Sequence, residues 1–205
     1  MNNLYKPIFL SMIAALAVPP AQAAIQTFTD EQAFNLAISG KPVVSESFES
    51  IAWEPTRTTG IAAPIISQGL TWSAGDKLRT VISPFARTGE YAVIDSFGSP
   101  DLIWVTSPTL LYAVSGWFVV TDGINLSISL DSGVAIPVSH PQRQSFFGVV
   151  KTEGFSYFSV STTAGNFGAD DFTIATVTTV PEPMSLLLLL AGLAGITVKL
   201  QRHDA

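Results

Sequence analysis

Ser145-Phe146-Phe147-Gly148-Val149-Val150-Lys151-Thr152-Glu153-Gly154-Phe155-Ser156-Tyr157-Phe158-Ser159-Val160-Ser161 decides the fold class. Phe, Val and Ser dominate it, and the first two favour pleated chain. From Phe155 onward the side chains alternate. Phe155, Tyr157 and Ser159 share one face, Ser156, Phe158 and Val160 the other, and both faces carry aromatics. Residues 151–154 read as a turn between two strands, 145–150 and 155–161.

The same texture extends outward. Further candidate strands are residues 43–49, 70–73, 77–82, 91–96, 102–105, 111–120, 125–130, 134–138 and 171–178. Ser99-Pro100-Asp101, Thr121-Asp122-Gly123 and Asp131-Ser132-Gly133 punctuate them. Many short strands at such spacing predict an all-β chain, an antiparallel sandwich or barrel. One short helix opens the domain. Thr29 can cap it, Gln32 sits at the capping-box position, and Ala33, Phe34 and Ala37 supply its apolar face. Residues 53–67, with Pro55, Gly60 and Pro64, read as one long loop.

The two ends are different in kind. Lys6, an apolar stretch over 7–18 and Ala21-Gln22-Ala23 form a secretory signal peptide over residues 1–23. At the other end, Val180-Pro181-Glu182-Pro183 precedes an uncharged apolar run over 184–198, with Lys199 and Arg202 beyond it. The prolines bar strand or helix continuation. The apolar run is helix-forming and short against the roughly 17–25 residues of a membrane span, with Leu200 and a snorkelling Lys199 to extend its reach, and the basic pair fits its cytoplasmic end.

This tail, 180–205, resembles the PEP-CTERM sorting signal of Gram-negative bacteria. The resemblance implies recognition by an exosortase, a membrane-embedded cysteine protease, and removal of the tail near Pro181 and Pro183. It further implies transient residence in the inner membrane. The mature protein would then reach the envelope, the surface or an exopolysaccharide matrix.

Between the ends lies one domain, residues 24–179, long enough for a real core. Residues 24–180 hold 14 acidic and 7 basic side chains, a net of 7 − 14 = −7. Nucleic acid is excluded as a partner on that balance, since phosphate binding wants a basic face. No cysteine is present, so neither a disulfide framework nor thiol chemistry is available.

The body is similar to the β-sandwich domains found upstream of this sorting signal. Ser47-Phe48-Glu49, Gly116-Trp117-Phe118, Ser145-Phe146-Phe147-Gly148-Val149-Val150 and Phe167-Gly168-Ala169-Asp170-Asp171-Phe172 carry the similarity. It implies a jelly-roll-like sandwich akin to carbohydrate-binding modules. It also implies a structural calcium ion shared by Glu49 on an early strand and Asp170 or Asp171 on the closing strand, as hard oxygen ligands.

Aromatic residues offer a second constellation. Trp53, Trp72, Trp104, Trp117, Tyr91, Tyr112 and Tyr157 could build a sugar-stacking platform, although rings in a sandwich are more often core. Trp53, in the long loop near Glu54 and Arg57, is the candidate ligand contact. Catalytic signals are thin. His140, between Ser139 and Pro141, is the one mature histidine. No nucleophile-elbow motif accompanies it, and one histidine cannot hold zinc. The expectation is an exported, non-enzymatic surface or matrix protein associated with exopolysaccharide. A carbohydrate-binding module is the alternative, and a hydrolase comes third.

Overall fold

The computed structural model describes residues 24–82, 84–95, 102–120, 124–131, 133–138, 144–163, 165 and 167–177. The signal peptide, His140 and the sorting tail fall outside them. In chain order the elements are β1 (Ile25–Phe28), α1 (Glu31–Ala37), β2 (Val43–Glu46), a 3-10 helix (Ile51–Thr56), β3 (Ile65–Ser67), β4 (Leu70–Ala74) and β5 (Leu78–Val81). β6 (Ala92–Asp95), β7 (Leu102–Val120), β8 (Leu126–Leu130), β9 (Ile136–Pro137), β10 (Ser145–Thr162) and β11 (Phe167–Thr176) follow. Every strand pairing is antiparallel, so the chain is mostly antiparallel sheet with little helix.

Two long strands organise it. The expected turn over 151–154 does not divide the chain into two strands, because β10 runs unbroken through it. β7 likewise fuses the expected 102–105 and 111–120 strands, across Pro108. The breaks legible in the sequence survive as register shifts. Val150 pairs with Ala113, Phe155 with Leu111, and Tyr157 with Thr106. Residues 151–154 and 107–110 therefore bulge out of the ladder, and a bulge bends its strand.

Each long strand has different neighbours on the two sides of that bend. In one layer, residues 111–120 of β7 lie between β11 and the start of β10, which pairs onward with β1. In the other, residues 102–106 lie between β4 and the end of β10, which pairs onward with β8. The far edge of β11 is shared end to end by β6 and β2.

The main core fills the space between these layers. Phe172 is its hub, with ring centroids 5.3 Å from Trp72, 5.8 Å from Phe118, 5.9 Å from Phe158 and 6.0 Å from Phe48. A second cluster lies on the outside of the β1–β11 layer. There Phe34 and Ile38 of the α1 region pack on Ala113, Phe146, Val150 and Ala175. The cap of α1 is Asp30, whose Oδ1 accepts the Ala33 N–H at 2.8 Å, and not Thr29. Its buried face is Phe34 and Ile38, with Ala33 exposed. Gly148 lets the helix close in, since a Cβ there would stand 2.5 Å from Cδ2 of Phe34.

Candidate functional site

Glu49 and Asp170 come to one segment, residues 87–91. Glu49 follows Phe48, whose φ of +64° ends β2, and its Oε1 accepts the N–H groups of Glu90 and Tyr91, both at 2.8 Å. Asp170 is fully buried. Its Oδ2 accepts the N–H of Arg87 at 2.6 Å and of Thr88 at 3.2 Å, and its Oδ1 accepts the N–H of Asp171 at 2.7 Å. Burial pushes the Asp170 carboxyl up to about 6, opposed by the Arg87 N–H and reinforced by the neighbouring Asp171 charge.

Asp171 points the other way. Its φ is +48°, and an extra residue is accommodated between the Asp170–Trp117 and Thr173–Ser115 pairs. Its Oδ1 accepts the Thr88 hydroxyl at 2.6 Å, and its Oδ2 lies 3.5 Å from Nη1 of Arg87. Arg87 also reaches Glu31 at 3.1 Å and covers the Trp117 ring at 3.9 Å.

In this structure the three residues are engaged by groups of the protein, while Asp171 Oδ2 and the nearby Glu46 Oε2 are buried without a hydrogen-bond partner. Both oxygens of Asp170 already hold N–H donors, and a guanidinium occupies the cation's place beside Asp171. Among the described residues no three His, Cys, Asp or Glu side chains stand close enough to share a metal. The carboxylates instead serve as acceptors that pin a loop. A cleft of about 210 Å³ beside them is lined by Glu31, Glu46, Arg87 and Asp171 among others. Glu46 was not singled out in the sequence. It is buried, with Oε1 accepting the Phe48 N–H at 2.8 Å.

Trp53 corrects the sequence reading of the aromatics. It lies in the 3-10 helix, fully buried, 4.8 Å from Phe48 and 5.6 Å from Trp72. Its indole is core and has no surface to offer a ligand. The loop around it is shorter than expected, since the 3-10 helix and β3 take up both ends of residues 51–67.

Two other aromatics lie differently. Ile103 and Val105 point into the core, so Trp104 between them points out of the β4–β7–β10–β8 layer. Ser73 and Ser159 flank Trp104 on neighbouring strands, and Ser129 lies beyond Ser159. One row along, Thr71, Thr106 and Tyr157 stand in line. On the opposite side of the Trp104 row come Ser161 and Ser127, their hydroxyls 3.3 Å apart. Trp104 and Tyr157 are diagonal neighbours, a spacing of about 7–8 Å between backbones. No charged residue occurs in 71–73, 102–106, 127–129 or 157–161. The outer face of the other layer is covered by α1 and Arg87. Neither covers this face.

No family model and no curated protein matches the chain. Solved structures similar to it at low superposition include the following three. A Podospora anserina GH26-CBM35 β-(1,4)-mannanase aligns at 18% identity and TM-score 0.39 over 69% of this chain, which spans 29% of that one. TmCBM61 in complex with β-1,4-galactotriose aligns at 20% and 0.31, over 64% of this chain and 94% of that one. The K2 cleaved adhesin domain of Lys-gingipain aligns at 15% and 0.36, over 66% and 100%.

Proposed function

We propose that the protein is an exported, non-enzymatic, sugar-binding β-sandwich that holds polysaccharide on the outer face of the β4–β7–β10–β8 layer. The observation that carries this is the placement of Trp104 and Tyr157 as diagonal neighbours on one sheet face, among Thr71, Ser73, Thr106, Ser127, Ser129, Ser159 and Ser161. A sugar ring offers an apolar C–H face to an aromatic plane and hydroxyls to neighbouring polar groups. A neutral polysaccharide asks for no charge in return.

The tail supports the same reading. Its resemblance to a PEP-CTERM signal supports exosortase and the inner membrane as early partners, and an exopolysaccharide-bearing matrix as the destination. A hydrolase reading has less behind it, since the buried Asp170 is committed to three backbone N–H donors.

Affinity electrophoresis in gels containing mannan, galactan or β-glucan tests the face. We expect at least one neutral polysaccharide to retard the protein, with retardation relieved in Trp104→Ala and Tyr157→Ala. Retardation by none, or retardation that survives both variants, overturns the proposal.

A further inference from the structure

The chain leaves the domain at the corner where β7 and β10 bend from one layer into the other. There the Val177 N–H donates to the Leu110 carbonyl at 2.9 Å, and the Thr176 N–H to the Pro42 carbonyl at 3.0 Å. Three aliphatic side chains stand open beside these bonds. Ile25 is 49% exposed, Val43 47% and Leu110 52%. The register gathers them. Gln26, Val150, Ala113, Ala175 and Val43 form one row across five strands, and Ile25 pairs with Lys151 one row beyond it. We infer that this corner is the bilayer-facing end of the domain, seated on the lipid surface that holds the apolar run 184–198. This rests on the proposed anchoring of that run in the inner membrane, and says which surface of the domain meets the same membrane.

Reach brings the corner down. Val177 and Met184 are seven residues apart, at most about 25 Å of extended chain. Crossing the headgroups uses about 6 Å of that. A folded domain of this length has a radius of gyration of about 15 Å and so a diameter of about 40 Å. The tether is shorter than the domain is wide, so the corner around Val177 stays next to the lipid and the opposite end stays clear of it. Aliphatic groups held that close meet the interface at high effective concentration, even where the free domain would bind it weakly.

The chemistry of the corner suits the interface. Tyr112, half-buried, follows Leu110 and Leu111, and Nζ of Lys41 stands 4.6 Å from its ring centre. Such side chains, with an apolar body and a polar tip, favour the headgroup level. Lys41 and Lys151 balance Asp131 and Glu153, with Lys151 on Asp131 at 3.0 Å. On an acidic chain, a corner of no net charge is one that anionic lipid does not repel. Side chains stand perpendicular to their sheet, so Trp104 projects sideways from its layer and its face remains open to polysaccharide.

Nitroxide labelling tests this, since the chain has no cysteine of its own. The full chain is placed in vesicles of phosphatidylethanolamine and phosphatidylglycerol. Single labels go on Ile25→Cys, Val43→Cys and Leu110→Cys, and on Thr163→Cys, an exposed position just past the far end of β10. Dissolved oxygen, which concentrates in lipid, should relax the first three labels more than a water-soluble nickel chelate does. At Thr163 the order should reverse. Adding Val43→Glu and Leu110→Glu together should hand the Ile25 label back to the chelate.

Chelate preference at all four positions, in vesicles that carry the chain, overturns the inference and leaves the anchored tail standing. Oxygen preference at Thr163, or at Ile25 despite both glutamates, overturns it as well. A chain that fails to float with the vesicles removes the inference together with the anchoring it rests on. None of these outcomes touches retardation by neutral polysaccharide, which reads the Trp104 face.

Discussion

Asp170 Oδ2 accepts the backbone N–H of Arg87 at 2.6 Å, across 83 residues of chain. This contact ties the closing strand β11 to the segment that carries Phe85 and Tyr91. It rests on the bulge that sends Asp170 inward and Asp171 outward. A buried carboxylate whose lone pairs are taken by N–H donors makes a stiff anchor, but its charge is costly to bury.

That cost gives a pH dependence. The folded carboxyl is raised from 3.8 to about 6, so the folded state binds the proton more tightly than the unfolded chain. The stability contribution is present in full below about 3.8 and is lost as pH rises through about 6. The whole change is worth about 3 kcal/mol. Asp131 works oppositely. Burial alone would raise it, but hydrogen bonds from Ser156 and Lys151 hold it below its ordinary value, so its contribution fades as pH falls in a more acid range. Melting the wild type and Asp170→Asn from pH 4 to 7 should show a rise on acidification between 7 and 4.5 that the variant lacks. Parallel profiles would refute the assignment.

Gly148→Ala should destabilise the protein by about 1–3 kcal/mol, the usual cost of overpacking. The new methyl meets the Phe34 ring, the buried anchor of α1. Phe34→Leu in the same chain should recover part of that loss, and a double-mutant cycle by denaturant melts measures the coupling. Additive effects would mean that the helix does not rest on this strand.

Trp53→Ala should cost about 3–5 kcal/mol as a core truncation. Saccharide affinity per folded molecule should stay unchanged, since the indole has no exposed surface. Trp53→Phe should cost far less, because the lost Nε1–H is buried without a partner. Urea melts paired with binding measurements separate the two roles.

The fold class was legible because strand propensity and punctuation agree along most of the chain. What the residues around 106–110 and 151–154 could not show is that their breaks are bends inside continuous strands. A turn and a bulge use the same Gly, Pro and polar residues, and only the partner strand distinguishes them. Trp53 was misread for a similar reason. Prolines and a glycine nearby announce irregular backbone but say nothing of which way an indole points. Trp104 was readable by its flanks, since Ile103 and Val105 on either side already define the inward face. Arg87 carried no local signal at all. Its partners Glu31, Trp117 and Asp171 lie far from it in sequence.

Protein recovered from the cells that make it should end near Pro181–Pro183, by intact mass. The Val180-Pro181-Glu182-Pro183 motif, apolar run and basic end motivate this. Mature material that still carries Leu186 to Ala205 would defeat it.

Calcium offers the sharpest contrast between the sequence expectation and the arrangement around Asp170. An ion shared by Glu49 and Asp170 or Asp171 would bind only the folded state. At 100 times its Kd it would add about 2.7 kcal/mol, several degrees for a domain this size. The arrangement predicts otherwise, because N–H donors hold Asp170 and Glu49 while Arg87 sits against Asp171. Melting temperatures in millimolar calcium and in chelator should coincide. Arg87→Gln removes the resident positive charge but leaves the Arg87 backbone N–H on Asp170, so this variant should still melt alike in both. A calcium-dependent rise in the wild type that vanishes in Glu49→Ala would show that the loop yields its carboxylates to an ion, and would restore the metal site.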